Sequence, residues 1–313
     1  MNKSSRILVT GHTGLVGSAV VRQLKEEGFS NVIERTHMEC DLCDIKETDS
    51  LFNDNRPEYV INCAGRVGGI NANNTKSAAY IYENIMMQTN IITFSHLYEV
   101  TKLLFLGSAC IYPKICPQPI KEEYLMTAPL EETNKGYAVA KIAGITMCQM
   151  YNKQYGTNFI SALPTNVYGE GDNFSLSDSH VLPALLRKFH EAKVNNSESV
   201  VVWGTGKARR EFLYADDLAD AILFLMNNYD SSDIINVGTG GDVSIKELIK
   251  IIKTIVGYKG KVVWDNSYPD GTIKRSIDTS KLDALGWKAK TSLEDGVIKM
   301  YKWYLKNINL IRR

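Results

Sequence analysis

Tyr137 and Lys141 lie four residues apart in segment 134–141, whose composition favours a helix. Residues at this spacing share one helical face, so a phenol and an ammonium can converge on one point. The reference pKa of a phenol is about 10, and a nearby cation lowers it. Such a pair could donate a proton to a carbonyl oxygen or remove one from an alcohol. The same spacing also occurs by chance, beside a solvated lysine, so the rest of the chain must decide.

Composition bounds the class of protein. The 313 residues carry 36 basic and 35 acidic side chains, so the net charge of +1 gives no reason to expect nucleic acid or a membrane surface as partner. No apolar run approaches the length of a membrane span. The first apolar run, residues 7–10, is too short for the core of a signal peptide. We therefore expect a cytoplasmic protein with one major domain and a smaller attachment.

The cysteines are dispersed through the chain, which argues against a disulfide framework. Cys40 and Cys43 form a C-x-x-C pair, but no second cysteine pair or histidine pair completes a zinc site. We therefore predict no metal centre. The six cysteines are Cys40, Cys43, Cys63, Cys110, Cys116 and Cys148.

A strand, a glycine-rich turn and a helix are predicted at the start of the chain, over residues 6–10, 11–17 and onward to about 27. The turn has the spacing G-x-x-G-x-x-G. We expect Gly11 to permit the tight turn, Gly14 to let a pyrophosphate approach the backbone, and Gly17 to let the helix pack on the strand. The helix N-terminus would offer amide donors to the phosphates. The predicted cofactor turn is Gly11, His12, Thr13, Gly14, Leu15, Val16 and Gly17.

The end of the second predicted strand bears on the choice of cofactor. In NAD enzymes an acidic residue about 20 residues beyond the glycines binds the ribose hydroxyls. Here Glu34 is followed by Arg35, which could pair with a 2′-phosphate and favours NADP(H). Glu34 keeps NAD open as an alternative. Asp41 and Leu42 follow, where the edge of an adenine ring could be met.

Further strands are predicted within 56–65, 103–108 and 158–163, with long helices over 77–99 and 133–155 between them. This alternation predicts an α/β protein with a Rossmann doubly wound parallel sheet. Ala64 and Gly65 would let a flat cofactor lie on a strand end, and Ser108 would stand at a carboxyl end of the sheet. We predict a cofactor domain of 1–170 plus 206–236, and a smaller C-terminal α/β lobe of 171–205 plus 237–313 that binds substrate.

The glycine turn, Ser108, Tyr137 and Lys141 stand in the order found in extended short-chain dehydrogenases/reductases. The chain further resembles the GDP-L-fucose synthases over nearly its whole length. The Cys-Ile-Tyr-Pro and Ser-His-Val segments distinguish it from the general UDP-sugar epimerases. The similar segments are 67–75 (VGGINANNT), 107–114 (GSACIYPK), 164–169 (PTNVYG), 172–174 (DNF), 179–187 (SHVLPALLR) and 202–206 (VWGTG).

This resemblance implies an NADPH-dependent enzyme that epimerises C3 and C5 of GDP-4-keto-6-deoxymannose and then reduces the C4 ketone. The ketone makes the hydrogens on both neighbouring carbons acidic, because the carbanion delocalises as an enolate. Epimerisation then needs one group to remove a proton and another to return it on the opposite face. Cys110 and His180 hold the positions of the family's acid/base pair. An alternative is a C4-reductase of a related GDP-4-keto-6-deoxy-heptose with little or no epimerase activity.

The resemblance also implies the remaining roles. Tyr137 would protonate the C4 oxygen, Ser108 would hydrogen-bond it, and Lys141 would hold the nicotinamide ribose and lower the Tyr137 pKa. A homodimer through helices 77–99 and 133–155 is expected. Further implied cofactor contacts are Ala64, Gly65, Leu106, Pro164, Thr165, Asn166, Val167 and His180. Implied substrate contacts are Ser108, Cys110, Asn166, Lys188, Trp203, Arg210 and Asp270.

Three departures from the family pattern leave open the exact sugar and whether epimerisation is retained. Ala109 stands where many relatives have a second serine, and Thr13 where some have an arginine that could touch the cofactor phosphate. Lys135-Gly136 precedes Tyr137 where relatives often carry Glu-Pro, which changes the rim of the sugar pocket. The reductase interpretation is unaffected by these changes.

Overall fold

Short apolar runs buried on both faces form the central sheet, as in the strand Ile7–Thr10, where all four side chains are buried. The computed structural model describes residues 1–176, 178–267, 272–309 and 311. The described strands are β1 (Ile7–Thr10), β2 (Val32–Ile33), β3 (Tyr59–Asn62), β4 (Lys102–Leu106), β5 (Phe159–Pro164), β6 (Asn166–Tyr168), β7 (Ser199–Trp203), β8 (Arg209–Arg210), β9 (Phe212–Tyr214), β10 (Ile235–Val237), β11 (Val243–Ser244), β12 (Lys261–Asp265) and β13 (Lys274–Arg275).

The helices lie between these strands, and none of those described is both long and apolar enough to cross a membrane. A short 3₁₀ turn, Ala109–Ile111, follows β4. The α-helices are α1 (Leu15–Glu26), α2 (Ile45–Asn55), α3 (Ile70–Thr75), α4 (Ser77–Leu97), α5 (Lys135–Tyr155), α6 (Val181–Val194), α7 (Ala215–Asn228), α8 (Ile245–Val256), α9 (Ser280–Ala284) and α10 (Leu293–Asn307).

The main sheet has six strands in the order β10-β5-β4-β3-β1-β2, and every neighbouring pair is parallel. Between β1 and β3 the strand order reverses, so the connections after these two strands leave toward opposite sides. In open α/β sheets ligands bind outside the carboxyl ends of the strands at such a switch point. The predicted α/β doubly wound parallel sheet is confirmed.

Two apolar cores cover the two faces of this sheet. On one face α1 and α7 pack together and bury Val20, Leu24 and Ile222. On the other face α4 and α5 pack together beside α2, burying Ile91 and Ala138. Full burial of a large apolar side chain contributes roughly 1.5–3 kcal/mol, so these faces fix the sheet beneath the carboxyl ends of its strands.

A third core belongs to a smaller lobe, in which α6, α8 and α10 surround the parallel pair β7 and β12. β8 lies between β11 and β13 in a small three-stranded sheet, and β6 pairs with β9. β10 belongs to the main sheet and α7 to its core. The proposed domain division, 1–170 plus 206–236 against 171–205 plus 237–313, stays a prediction.

One buried carboxylate joins the lobe to the main sheet. Glu211, between β8 and β9, is fully buried, and its Oε1 accepts hydrogen bonds from the backbone nitrogens of Thr239 (2.6 Å) and Gly240 (3.0 Å). Its Oε2 accepts from the backbone nitrogen of Ile277 at 3.0 Å. A side chain on Gly238 would collide with the same carboxylate. Two segments distant in sequence are therefore anchored beside Arg210.

Candidate active site

Contacts that only glycine allows shape the turn between β1 and α1. Gly11 has a φ of +69°, and a Cβ atom there would lie 2.8 Å from the backbone nitrogen of Ala64. A Cβ atom on Gly17 would collide with the carbonyl oxygen of Gly11. Gly17 therefore packs on the turn directly after β1, and its expected role in bringing the helix onto the strand stays a prediction. Gly14 caps α1 without a side chain, and the first helical turn has no acidic residue. Its amide groups suit a pyrophosphate.

The other residues of this turn line its rim. Leu15 and Val16 are half-buried against the core beneath α1, and Thr13 is exposed. His12 has a buried Nδ1 with no hydrogen-bond partner in the described part of the chain. Buried polar atoms are normally paired, so a bound polar group would satisfy this nitrogen. The turn as a whole fits a dinucleotide phosphate.

At the end of β2, Glu34 and Arg35 have different side-chain partners. Glu34 is engaged by Lys25, whose Nζ lies 2.7 Å from Oε1. Arg35 is exposed and donates to the Glu34 carbonyl oxygen at 2.7 Å and to Asn55 Oδ1 at 3.3 Å. It lines an open depression of about 540 Å³ with Lys46. A cation is thus available where a 2′-phosphate is expected.

Asp41 and Leu42, predicted beside the adenine, are held by local bonds. Asp41 Oδ1 accepts from the backbone nitrogen of Cys43 at 2.9 Å. Asn90 Nδ2 donates to the Leu42 carbonyl oxygen at 2.9 Å. These bonds fix the loop that follows β2, and the assigned adenine contact stays a prediction.

Tyr137 and Lys141 converge as the helical spacing predicts. Both are buried, with 7% and 4% of their surfaces exposed. Lys141 Nζ donates to the Leu106 carbonyl oxygen at 2.8 Å, and it lies 6.0 Å from the centre of the Tyr137 ring. A Cβ atom on Gly65 would lie 3.4 Å from the same Nζ. Burial lowers the pKa of Lys141 to about 8.

The pKa of Tyr137 differs from the expectation. Burial raises it well above its ordinary value, Cys110 raises it further, and a hydrogen bond with Ser108 opposes the rise. The expectation that Lys141 lowers the pKa of Tyr137 is wrong, because the phenol is buried away from water and the ammonium is bonded to the Leu106 carbonyl oxygen. Tyr137 is therefore a protonated phenol at neutral pH and can donate a proton.

Ser108 and Cys110 form one turn after β4. Ser108 Oγ accepts from the backbone nitrogen of Cys110 at 3.3 Å and donates to Cys110 Sγ at 3.1 Å. Ala109 between them is buried. Burial raises the pKa of the Cys110 thiol, while the Ser108 hydrogen bond and the Arg275 guanidinium lower it. The thiol thus stands among polar groups beside Tyr137.

His180 lies on a different loop, at the N-terminus of α6. Its imidazole is solvent-accessible, but the surrounding protein excludes enough water to lower its pKa. The loop rests on two glycines: a Cβ atom on Gly68 would lie 3.4 Å from the Asp178 carbonyl oxygen, and one on Gly69 would lie 2.6 Å from the Ser179 carbonyl oxygen. The Gly69 nitrogen also donates to the Asp178 carbonyl oxygen at 2.9 Å. In the described structure no hydrogen bond joins His180 to Cys110.

The segment after β5 is fixed by backbone partners. The Thr165 nitrogen donates to the Val237 carbonyl oxygen at 3.0 Å, and Asn166 Nδ2 donates to the Glu211 carbonyl oxygen at 2.8 Å. Pro164 ends β5, and Val167 packs against the core beneath α1. The segment therefore lies at the carboxyl end of β5, where its assignment as a cofactor contact stays a prediction.

Of the predicted substrate residues, Lys188 and Trp203 fall on the smaller lobe. Lys188 Nζ donates to the Val201 carbonyl oxygen at 2.7 Å and lies 5.8 Å from the Trp203 ring, which is 59% exposed. Arg210 donates to the Thr272 carbonyl oxygen at 2.6 Å. The structure brings Lys188 and Trp203 together, and places Arg210 on β8. Asp270 lies outside the described residues.

Several residues near the site have no sequence signal of their own. Tyr80 on α4 is buried and contributes to the raised pKa of Tyr137. Asn134 and Arg275 both approach the Cys110 carbonyl oxygen.

Burial raises the pKa of Cys40 and of Cys43 to about 11, and the described residues contain no group of side chains arranged to hold a metal ion.

Comparisons with known proteins show the family of this chain. The family model described as NAD dependent epimerase/dehydratase family matches residues 7–238. The chain is 54% identical over 308 residues to putative GDP-L-fucose synthase 2 of Arabidopsis thaliana, which covers 98% of this chain and 94% of that protein.

Two solved structures share the fold over almost their whole length. One is a GDP-6-OMe-4-keto-L-xylo-heptose reductase from C. jejuni, with a TM-score of 0.94 and 41% identity over 98% of this chain and 99% of that one. The other is a GDP-L-fucose synthetase from Naegleria fowleri bound to NADP, with a TM-score of 0.94 and 32% identity over 100% and 96%. With the sequence match, they establish that this chain belongs to the NAD dependent epimerase/dehydratase family, in the branch of the GDP-L-fucose synthases.

Proposed function

We propose that this protein reduces the C4 ketone of a GDP-4-keto-6-deoxy sugar after epimerising C3 and C5, so that GDP-4-keto-6-deoxymannose gives GDP-L-fucose. The observation that carries the proposal is the convergence of Ser108, Cys110, Tyr137 and Lys141 at the carboxyl end of β4. We place the reaction in the cytoplasm, since six free cysteines suit a reducing compartment.

The cofactor is NADP(H), and it supplies the hydride that reduces C4. The amide groups of the turn at Gly11, Gly14 and Gly17 would hold its phosphates, because the turn is open to an anion and excludes side chains. Arg35 would pair with the 2′-phosphate. Lys141, next to Gly65, would hold the nicotinamide ribose.

Cys110 and His180 would exchange protons with the carbons beside the ketone. One removes a proton from C3 or C5, and the electron pair of the broken C–H bond passes into the enolate. The other returns a proton to the opposite face. His180 is largely neutral at neutral pH because its pKa is lowered, and Cys110 has polar partners that oppose the effect of burial.

Tyr137 would then donate its phenolic proton to the C4 oxygen, while Ser108 donates a hydrogen bond to the same atom. A raised pKa keeps Tyr137 protonated until charge develops on that oxygen. Lys141, one helical turn away, would stabilise the phenolate left behind. Placed donors act strongly here because the site is dry.

The smaller lobe would hold the GDP group. Lys188 and Arg210 supply cations that suit a diphosphate, and the exposed Trp203 ring supplies a wall for a base or a sugar. Asp270 is kept as a proposed contact on resemblance alone. A GDP-heptose C4-reductase remains the second candidate, because solved GDP-heptose enzymes from C. jejuni are 40–41% identical to this chain. Several proteins named GDP-L-fucose synthase are 48–54% identical to this chain, which favours the first.

Deuterium uptake tests the reaction directly. Wild-type protein given GDP-4-keto-6-deoxymannose and NADPH in D₂O should yield GDP-L-fucose with deuterium at C3 and C5, measured by NMR. Tyr137→Phe should slow NADPH oxidation by roughly 10²- to 10⁴-fold, the usual contribution of one proton donor, while deuterium still enters the ketosugar. Reduced product without deuterium would remove the epimerase assignment and favour the heptose alternative. Unchanged NADPH oxidation in Tyr137→Phe would contradict the assigned donor.

The lowered pKa of Lys141 predicts an alkaline limit to reduction. Lys141 is charged below its pKa of about 8 and neutral above it, so kcat/KM for NADPH oxidation should fall as the pH rises through about 8. Lys141→Arg keeps its charge at higher pH, so this limb should vanish even if the rate is lower. A wild-type profile that stays level up to pH 10 would contradict the assigned role.

Arg35 should determine the preference for NADPH over NADH. Removing a charge-assisted pair costs about 1.5–3 kcal/mol, so Arg35→Gln should raise the KM for NADPH roughly 10- to 100-fold and leave the KM for NADH nearly unchanged. Lys46→Gln, on the other side of the same depression, is the matched control. If only Lys46→Gln raised the KM for NADPH, the 2′-phosphate would be bound by Lys46 and not by Arg35.

We also propose a homodimer through the outer faces of α4 and α5. These helices expose Tyr82 and Leu97 on α4, and Val139 and Met150 on α5, an apolar surface of the kind that mediates association. Sedimentation equilibrium should give twice the 35.0 kDa chain mass. Val139→Glu should shift the protein toward a single chain, and a wild-type mass of one chain would exclude this interface.

A further inference from the structure

Two side chains from distant parts of the chain hold the backbone of Cys110. Asn134, just before α5, donates through Nδ2 to the Cys110 carbonyl oxygen at 3.2 Å. Arg275 on β13 donates through Nη2 to the Tyr112 carbonyl oxygen at 2.8 Å and reaches the Cys110 carbonyl oxygen at 3.5 Å. Asn134 directly precedes the helix that carries Tyr137, and Arg275 belongs to the smaller lobe.

Backbone bonds fix β13 against the loop that begins with Cys110. The Ile120 nitrogen donates to the Ser276 carbonyl oxygen at 2.9 Å, and the Asp278 nitrogen donates to the Ile120 carbonyl oxygen at 2.8 Å. Gln118 Oε1 accepts from the Ser276 nitrogen at 2.9 Å. The position of Arg275 relative to Cys110 is therefore set by main-chain pairing as well as by its own side chain.

The same strand also contacts the proposed GDP-binding residues. β13 pairs in parallel with β8, and the register places Arg275 opposite Arg210. Arg210 donates to the Thr272 carbonyl oxygen, two residues before β13. Arg275 Nε is buried and has no hydrogen-bond partner in the described ranges, so its guanidinium still has a donor to offer inside the site.

We propose that Arg275 is a positioning residue for proton transfer at Cys110: its guanidinium fixes the 110–112 turn, and its charge favours the thiolate that accepts a proton from the sugar carbon. The thiolate gains that proton and becomes a thiol, while the electron pair of the C–H bond passes into the enolate of the C4 ketone. The inference rests on the proposed epimerisation. To the proposed epimerisation it adds Arg275 as the residue that connects substrate binding on the lobe with the reacting thiol.

The charges around Cys110 support Arg275 as the relevant cation. The groups that face the thiol are Ser108 in its own turn, Asn134, Tyr137 and Lys141 from α5 and its start, and Arg275 from β13. Burial raises the pKa of Cys110, whereas Arg275 and Lys141 lower it. Lys141 Nζ donates to the Leu106 carbonyl oxygen, whereas Arg275 is bonded to the turn that carries the thiol.

Arg275→Met, Arg275→Lys and Lys274→Met are the test variants. Lys274 is the matched control, because it neighbours Arg275 on β13 but pairs with Asp242 at 3.2 Å. Alkylation of Cys110 by iodoacetamide, followed across pH by mass spectrometry of its peptide, measures the thiol directly. Deuterium uptake at C3 and C5 measures its chemistry, and thermal melting confirms that each variant is folded.

Arg275→Met should raise the midpoint pH of Cys110 alkylation by about one unit and slow deuterium uptake roughly 10- to 100-fold. Arg275→Lys should bring the midpoint pH of alkylation most of the way back to the wild-type value. Lys274→Met should leave both the midpoint pH and the rate of deuterium uptake unchanged. A folded Arg275→Met protein with a wild-type midpoint would overturn the proposal, whether or not its deuterium uptake falls. If wild-type protein took up no deuterium, the epimerisation would be wrong, but the alkylation midpoints would still decide whether Arg275 acts on Cys110.

Discussion

The arrangement of the site depends on one buried ammonium, that of Lys141, held on the carbonyl oxygen of Leu106 at the last residue of β4. Burying a charge without a carboxylate partner is unfavourable, and it is tolerated here because the ammonium has a carbonyl oxygen and lies 4.8 Å from the Phe105 ring centre. The ammonium requires α5 to lie close against β4. Gly144, less than one turn further along α5, makes this possible, because a Cβ atom there would collide with Phe105.

The two halves of the proposed chemistry rest on different supports. Proton donation to oxygen uses Tyr137, Lys141 and Ser108, which the main sheet and α5 hold directly. Proton exchange at carbon uses Cys110 and His180, which lie on loops. The first loop is braced by β13, and the second rests on Gly68 and Gly69. On this proposal, reductase activity would depend on the core of the fold, whereas epimerase activity would depend on contacts between the lobe and the loops.

The sequence predicts the main sheet and the Tyr137–Lys141 pair because both follow from local patterns: buried strands, glycine spacing and helical periodicity. It misses α2, a short helix whose buried residues are Thr48, Leu51 and Phe52, although Asp44 accepts hydrogen bonds from the Lys46 and Glu47 nitrogens as an N-cap. It also misjudges the Tyr137 pKa, since the pattern reveals the neighbouring cation but not the depth of burial. Arg275 could not be found at all, because only the fold brings it to a carbonyl oxygen 165 positions earlier in the chain.

The hydrogen bonds of the buried Glu211 carboxylate limit how this protein can be recombined with its relatives. One carboxylate accepts from three backbone nitrogens on two separate segments, and Gly238 must stay small to admit it. A crossover placed between residues 211 and 277 could combine Glu211 from one parent with a different backbone around 239–277 from the other. Buried backbone nitrogens would then lose their hydrogen-bond acceptor. Chimeric enzymes built to exchange sugar specificity should therefore inherit this whole stretch from a single parent.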